Sequence, residues 1–476
     1  MKKFTKILVC LMLCVFGLGL IACDNRSAKE QNFTYPKSSD KVLGNGGLAV
    51  RKGKYVYFVN GYKSITSEGL SKKKKYTVGS LMLMKLDANG ELVTDENGLV
   101  DDDYYIKMSN KLCGYEVTDL FIHGEYLYFV TPSLENETGD EVWAKERVVF
   151  KRIKLDKTGD VETVYESNVK YDQLEYKYYE TKNNLYILAW EKGKAYYDGK
   201  AENALIRVNA TKQTKSTISK DVSSVVFAES SDEIFYVYDD EENYDVKKYD
   251  IIENEKTSYI PNLQEKVTVE FVGDGKLFAT QTHENDTTYT DLMVSNFNDS
   301  EKMFSLFYSN VKDYTRSITN DGSAVVLVKD NVISLIKTNE EYGVGGATIT
   351  ATIEEAEGEK ITIIDYTNGS ILYHTTNESS KIKLASYSNA ISGQTVEAIE
   401  LTSIDAAIDE DKAYFDLNEE ENCLYFYKAA GKSSSEYYLH RLKVNNNFEE
   451  TEEMFGVYKA DDEPEIEEEE EIVEEE

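Results

Sequence analysis

Tyr115-Glu-Val-Thr-Asp-Leu-Phe-Ile-His-Gly124 is followed by Glu125-Tyr-Leu-Tyr-Phe-Val-Thr131, a polar loop, Val148-Val-Phe-Lys-Arg-Ile-Lys-Leu-Asp156, a Lys-Thr-Gly turn and Asp160-Val-Glu-Thr-Val-Tyr165. These are four short runs rich in β-branched and aromatic residues, separated by turn signals, and they predict a four-stranded antiparallel meander. Seven other stretches align with it through the central residue of one strand. The anchors are Tyr57, Tyr128, Tyr186, Phe235, Phe278, Val326, Tyr373 and Tyr425, on average about 53 residues apart. That period suits a four-stranded blade with loops and is too long for most helical repeats. A Gly, Asn or Asp turn precedes most anchors, as in His123-Gly-Glu125 and Gly273-Asp-Gly-Lys276. A second alternating strand follows, as in Leu81 to Asp87, Leu205 to Asn209 and Leu439 to Val444. The period of two pins the register of each hairpin.

A blade of this kind cannot bury both of its faces alone, whereas stacking blades around an axis covers them all. The expected fold is therefore all-β, an eight-bladed β-propeller of four-stranded antiparallel blades spanning 42-458. A seven-bladed ring, in which the weak sixth unit around Val326 is not a blade, is the alternative, and two stacked sandwiches come third.

The chain has 476 residues and a formal charge of -34, from 87 acidic and 53 basic residues. Such a surface repels phosphate backbones, so nucleic-acid binding is excluded as an expectation. With 36 Tyr, 4 Pro and 41% hydrophobic residues the chain belongs to the globular, β-rich class.

Lys2, Lys3 and Lys6 precede a 16-residue apolar run from Ile7 to Ala22, too short to span a bilayer and built like an export signal over 1-22. It ends in Leu20-Ile21-Ala22-Cys23, which resembles the bacterial lipobox. The resemblance implies cleavage after Ala22, a diacylglyceryl thioether on Cys23 and a stable anchor carrying more than one acyl chain. The localisation expected is the outer face of the cytoplasmic membrane. The Lys, Asn, Glu and Tyr bias points to a Gram-positive bacterium. Residues 23-41 are polar and aperiodic and are expected to form a flexible tether. At the far end, 459-476 is expected to be a disordered acidic tail, with 12 carboxylates among residues 461–476.

Gly46-Gly-Leu-Ala-Val-Arg-Lys-Gly-Lys-Tyr-Val-Tyr-Phe-Val-Asn60, with Leu83-Met-Lys-Leu-Asp-Ala-Asn-Gly90, is similar to the propeller-type domain of unknown function found in bacterial lipoproteins, itself related to YWTD/TolB-like β-propellers. The resemblance is best over the first two units and implies a propeller with a binding role. It carries over no catalytic residue.

Motif inspection for chemistry yields absences. There is no Gly-x-Ser-x-Gly elbow, His-Glu-x-x-His, P-loop or dinucleotide fingerprint. The four His, at 123, 283, 374 and 440, have no ligand spacing, so no catalytic, cofactor or metal residues are assigned. Asp87-Ala-Asn-Gly90 and Asp95-Glu-Asn-Gly98 fail the EF-hand template and read as tight turns. Lys72 to Lys75 form a lone basic cluster, read as a solvated hairpin tip, with contact to anionic lipid or wall polymer as the other option. Of the mature cysteines, Cys113 and Cys423 read better as two buried apolar residues than as a disulfide.

The candidate ligand contacts are Trp143, Trp190, Tyr196, Tyr197, Tyr437 and Tyr438, aromatics at or near hairpin ends. The expected function is a membrane-anchored, non-enzymatic binding or scaffold module for a protein, peptide or glycan. The alternative is a propeller-type lyase or glycosidase using channel carboxylates.

Overall fold

The computed structural model describes residues 27–63, 80–109 except Asn97 and Leu99, 119–132, 147–193, 203–228, 232–239, 243–283, 286–339, 345–367, 369–376, 380–404, 415–418, 423–429, 436–444 and 450–456. The strands fall into eight separate antiparallel sheets, each built from one contiguous piece of chain except that Tyr62–Lys63 of the first unit pairs into the eighth. The second blade is typical, with strands Phe121–His123, Tyr126–Pro132, Arg147–Lys154 and Glu162–Lys170. All eight anchor residues lie on the second strand of their blade, Val326 included, on Ala324–Lys329. The unit around Val326 is complete, running Thr315–Ile318, Ala324–Lys329, Val332–Lys337 and Ala351–Glu354. The ring is eight-bladed.

Apolar residues alternate along each central strand because successive side chains point to opposite faces. On Tyr55–Val59, Val56 and Phe58 pack toward the last blade, while Tyr55, Tyr57 and Val59 pack toward the second. On Leu185–Glu191, Leu185, Ile187 and Ala189 face backward and Tyr186, Leu188 and Trp190 face forward. The described residues form eight buried clusters, one between each pair of neighbouring blades. Each large side chain so buried contributes about 1.5 to 3 kcal/mol. First strands of successive blades adjoin, as Val222–Phe227 does Val267–Gly273, so the first strand is innermost.

The meander gives the ring two distinct faces. First strands begin, second strands end and third strands begin on one, here the upper face; first-to-second and third-to-fourth turns lie on the lower face. Gly53, Gly124 and Gly275 hold φ of 62°, 62° and 68° in the first-to-second turns, the left-handed conformation such tight hairpins need. Asp87-Ala-Asn-Gly90 is also a turn, in which Asp87 Oδ1 accepts from the backbone N–H of Asn89 at 2.7 Å and of Glu91 at 2.9 Å.

Part of the stretch expected as tether is docked instead. Ala28–Asn32 is a short helix with a capping box between Ser27 and Glu30. Phe33 and Tyr35 join the apolar cluster between the first two blades, and the Tyr55 hydroxyl lies 2.7 Å from Thr34 Oγ1. Two aromatics in a polar segment find a partly buried place, and that holds the segment down. Cys23, the acidic tail and Lys72 to Lys75 lie outside the described residues.

The ring closes between the first and eighth blades without exchanging a strand within the main blade order. Phe455 meets Phe58 and Tyr425 edge-on, with ring centroids 5.0 and 5.7 Å away. The buried Arg441 guanidinium stacks 5.0 Å over Phe455, donates to Gly90 O at 3.2 Å and pairs with Glu453 at 2.7 Å. Tyr62–Lys63 adds a short rung to Glu436–Val444. Cys423 is buried in this same seam, and its suggested partner Cys113 lies outside the described residues. Replacing Arg441 by Ala leaves Glu453 with the longer 3.6 Å pair to Lys443 and is expected to cost about 3 kcal/mol. Lys443→Ala, which removes a more exposed pair with Glu91 and a longer 3.6 Å pair with Glu453, is expected to cost under about 1 kcal/mol. Urea denaturation of both variants checks the difference, and equal effects would count against Arg441 as the latch.

Candidate functional site

A cleft of about 590 Å³ opens on the upper face between the third and fourth blades and reaches the start of the fifth. Its size lies within the range of about 300 to 1,000 Å³ typical of small-ligand sites. Trp190 and Lys192 line it from the end of one second strand, Tyr238 and Asp239 from the end of the next. Asn203 lies just before a third strand, Asp221, Val222 and Ser223 at the start of a first strand, and Lys266 just before another. Residues that begin first and third strands and end second strands meet here because the meander brings those ends to one face.

Backbone geometry builds the walls. Asn203 and Asp221 hold φ of 36° and 55°, a left-handed conformation that Asn and Asp tolerate better than most residues. The Val222 N–H donates to Asn203 O at 3.1 Å, and the Gly193 N–H donates to Asn203 Oδ1 at 2.7 Å, tying two loops together. Trp190 is 8% exposed, and its indole N–H donates to Val222 O at 3.1 Å, so the ring is fixed with its edge at the cleft. The Lys192 ammonium sits 5.0 Å from that ring's centroid and pairs with Glu175. Opposite, Lys266 pairs with Asp239 at 3.2 Å, and Lys247 covers the Tyr238 ring at 4.0 Å. The result is a trough with one indole and one phenol wall and with both signs of charge at its rim. Those surface pairs are weak and exchangeable, which suits a site whose ligand displaces them.

Of the aromatic candidates whose side chains are described, Trp190 lines this cleft and Tyr438 does not. Tyr438 is 2% exposed and packs beside Gly456 in the closing seam, so it is a core residue and not a contact. Tyr437 pairs with Ala429 and Tyr62 through its backbone, while its side chain, with Trp143, Tyr196 and Tyr197, lies outside the described residues. The lysines, Asn203 and the aspartates were missed because each is an ordinary turn residue in sequence. Their one signal is position, at the strand ends that share the upper face.

The histidines are scattered. His123 Nδ1 lies 2.7 Å from Glu180, and His283 Nε2 lies 2.9 Å from Asp291. His374 is buried in a strand, and burial holds its imidazole down to about 4. Among the described residues no three His, Cys, Asp or Glu gather in a metal-sized group.

One carboxyl stands out chemically. Asp119, with φ 42°, directly precedes the Leu120 bridge and the innermost strand of the second blade. Its carboxyl lies beside Tyr176 and Tyr178 of Leu174–Glu180, and burial pushes it up to about 6, the Tyr176 hydroxyl offsetting part of the rise. Tyr178 packs on Phe121 and Tyr176 on Phe150, with centroids 5.0 and 4.9 Å apart, which keeps this corner apolar.

No protein-family model matches this chain, and no curated protein resembles it in sequence. Solved structures resemble it distantly. The β-propeller domain of the Trilobed protease from Pyrococcus furiosus is 11% identical over 70% of this chain and 96% of its own, with a TM-score of 0.41. A functionally unknown protein from Desulfotomaculum acetoxidans is 12% identical over 63% of this chain and 89% of its own, with a TM-score of 0.36. Prolyl oligopeptidase B from Galerina marginata is 11% identical over 69% of this chain, with a TM-score of 0.47, and the match spans only 49% of that enzyme. At this distance none of the three adds to what the sheet topology already shows.

The Asp119 environment has a measurable consequence. The unfolded carboxyl ionises near 3.9 and the folded one near 6, so between those pH values the folded state binds more protons and stability falls as pH rises. Asp119→Asn removes that loss. Thermal unfolding is expected to show the variant more stable than wild type at pH 7.5, by about 2 kcal/mol, and no such gain at pH 4. A gain of equal size at both pH values would contradict the assignment.

Proposed function

We propose that this protein is a lipid-anchored binding module on the outer face of the cytoplasmic membrane, presenting the upper face of its propeller to a protein, peptide or glycan. The cleft around Trp190 carries the reading. Fixed aromatic walls between loosely paired lysines and aspartates suit a partly apolar ligand with charged or hydroxyl groups, which aromatic edges and exchangeable ion pairs bind without any reacting group. The anchor rests on the Leu20-Ile21-Ala22-Cys23 motif and the apolar run before it.

A second reading, a carbohydrate-active lyase or glycosidase, has Asp119 in its favour. A carboxyl near 6 beside two phenols on the innermost strands is the kind of group that serves as a general acid at neutral pH. Its test is turnover of envelope polysaccharide that Asp119→Asn abolishes.

For the binding reading, the full-length protein is used to capture partners from envelope extract, beside Trp190→Ala and a Lys192→Glu/Lys266→Glu double variant. Wild type is expected to retain one stoichiometric protein or glycan, and the variants to bind it at least about tenfold less, a loss of about 1.4 kcal/mol. Undiminished capture by both would remove the cleft from the proposal. The anchor has its own measurement: labelled palmitate is expected in the wild type and absent from Cys23→Ala, and equal labelling of both would refute it.

A further inference from the structure

We infer that the lower face of the propeller lies against the lipid bilayer, seated by an apolar arc on the blades opposite the anchor. This rests on the lipidation of Cys23 proposed above and adds the orientation and the contact surface. Four contacts hold the N-terminal segment on or beside the lower face. Gly53 donates to Lys41 O at 3.0 Å in a first-to-second turn, and Glu30 pairs with Lys157 in a third-to-fourth turn. Phe33 packs on Tyr55, the first residue of a second strand, at 6.3 Å, and Lys29 sits 4.7 Å over Tyr105, the first residue of a fourth strand. Three residues separate Ser27 from Cys23, so the four Cα-to-Cα steps span at most about 14 Å when fully extended. A lipid on Cys23 therefore holds the lower edge of the first two blades close to the membrane.

Across the ring, four of the six exposed large apolar side chains among the described residues lie on the same face, while Tyr289 and Met454 lie away from it. Ile252, Met303, Ile349 and Ile399 are between 39% and 61% exposed, and each sits at a third-to-fourth connection, in the fourth, fifth, sixth and seventh blades in turn. Ile391 and Val396, partly buried and packed against the core of the sixth and seventh blades, adjoin this arc. The chain is acidic overall, and an anionic membrane repels it. Yet within the connections of the sixth and seventh blades, residues 345–353 and 384–396 contain no charged side chain, with Glu340, Glu341 and Glu397 flanking these stretches. Glu400, next to Ile399, is neutralised by Lys381 at 2.9 Å. In an eight-bladed ring the arc from the fourth to the seventh blade is centred opposite the seam of the first two. An anchor on one side and an apolar rim on the other give two supports across the axis, so the ring lies flat and the cleft faces away from the membrane. Exposed apolar side chains next to a bilayer, beside stretches without charge, have the chemistry of a lipid interface.

The experiment uses the full-length lipidated protein in phosphatidylcholine/phosphatidylglycerol vesicles carrying a headgroup-attached nitroxide. In a Cys113→Ala background, a fluorophore is placed at Ser300→Cys on the lower face or at Gln264→Cys on the upper face. Quenching is expected to be at least about threefold stronger at Ser300→Cys, and to fall at least about twofold when Ile349→Asp and Ile399→Asp are added. Equal or stronger quenching at Gln264→Cys, in protein that incorporates palmitate, overturns the orientation and leaves the anchor standing. Quenching unchanged by the two aspartates overturns the role of the arc. Absence of palmitate refutes the anchor, and the orientation falls with it.

Discussion

Each blade of this ring is apolar on both sides, and that requirement governs the rest of the structure. A sheet with one dry face can end against solvent, but a sheet whose central strand reads Tyr-Val-Tyr-Phe-Val from Tyr55 to Val59 needs a neighbour on each side. The eight inter-blade clusters are the solution, and the last of them closes the circle. Closure here depends on side chains. Phe455 is wedged between Phe58 and Tyr425, and Arg441 links Glu453 to the Gly90 carbonyl. The eighth blade takes all four of its principal strands from its own sequence.

The same meander that fills the core sorts the surface. Because every blade runs in the same direction, all first-to-second and third-to-fourth turns gather on one face and the remaining connections on the other. Similar local chemistry then has different uses by location. Trp190, near the end of a second strand, borders a cleft, while Met303, before a fourth strand, stands exposed on the opposite face. The two faces differ in character as well. One holds a trough walled by aromatic rings and rimmed by ion pairs, and the other holds the N-terminal segment and an arc of exposed apolar side chains.

Much of the architecture was legible because strand and turn signals are local. The eight anchors, including Val326, fall on equivalent strands since a core strand between two blades must be apolar at every position whatever its neighbours are. Asp87 to Gly90 was readable as a turn for a similar reason, its hydrogen bonds closing within five residues. The docking of Phe33 and Tyr35 was not legible, because their apolar partners come from blades one and two. Nor was the fate of the candidate aromatics. Tyr438 and Trp190 both lie near hairpin ends in sequence, but one meets the closing seam and the other a gap between blades.

By itself, then, the sequence determined the repeating unit, the order of the blades and the lipobox-like motif at Cys23, since alternation, turn residues and a short contiguous motif are properties of neighbours along the chain, while the choice between seven and eight blades fell to the structure. The tertiary structure alone decided which strand ends meet. Asp221, Tyr238 and Lys266 become one site, and Ser27 comes to rest on the face of Met303, because closing the ring converts strand direction into spatial position.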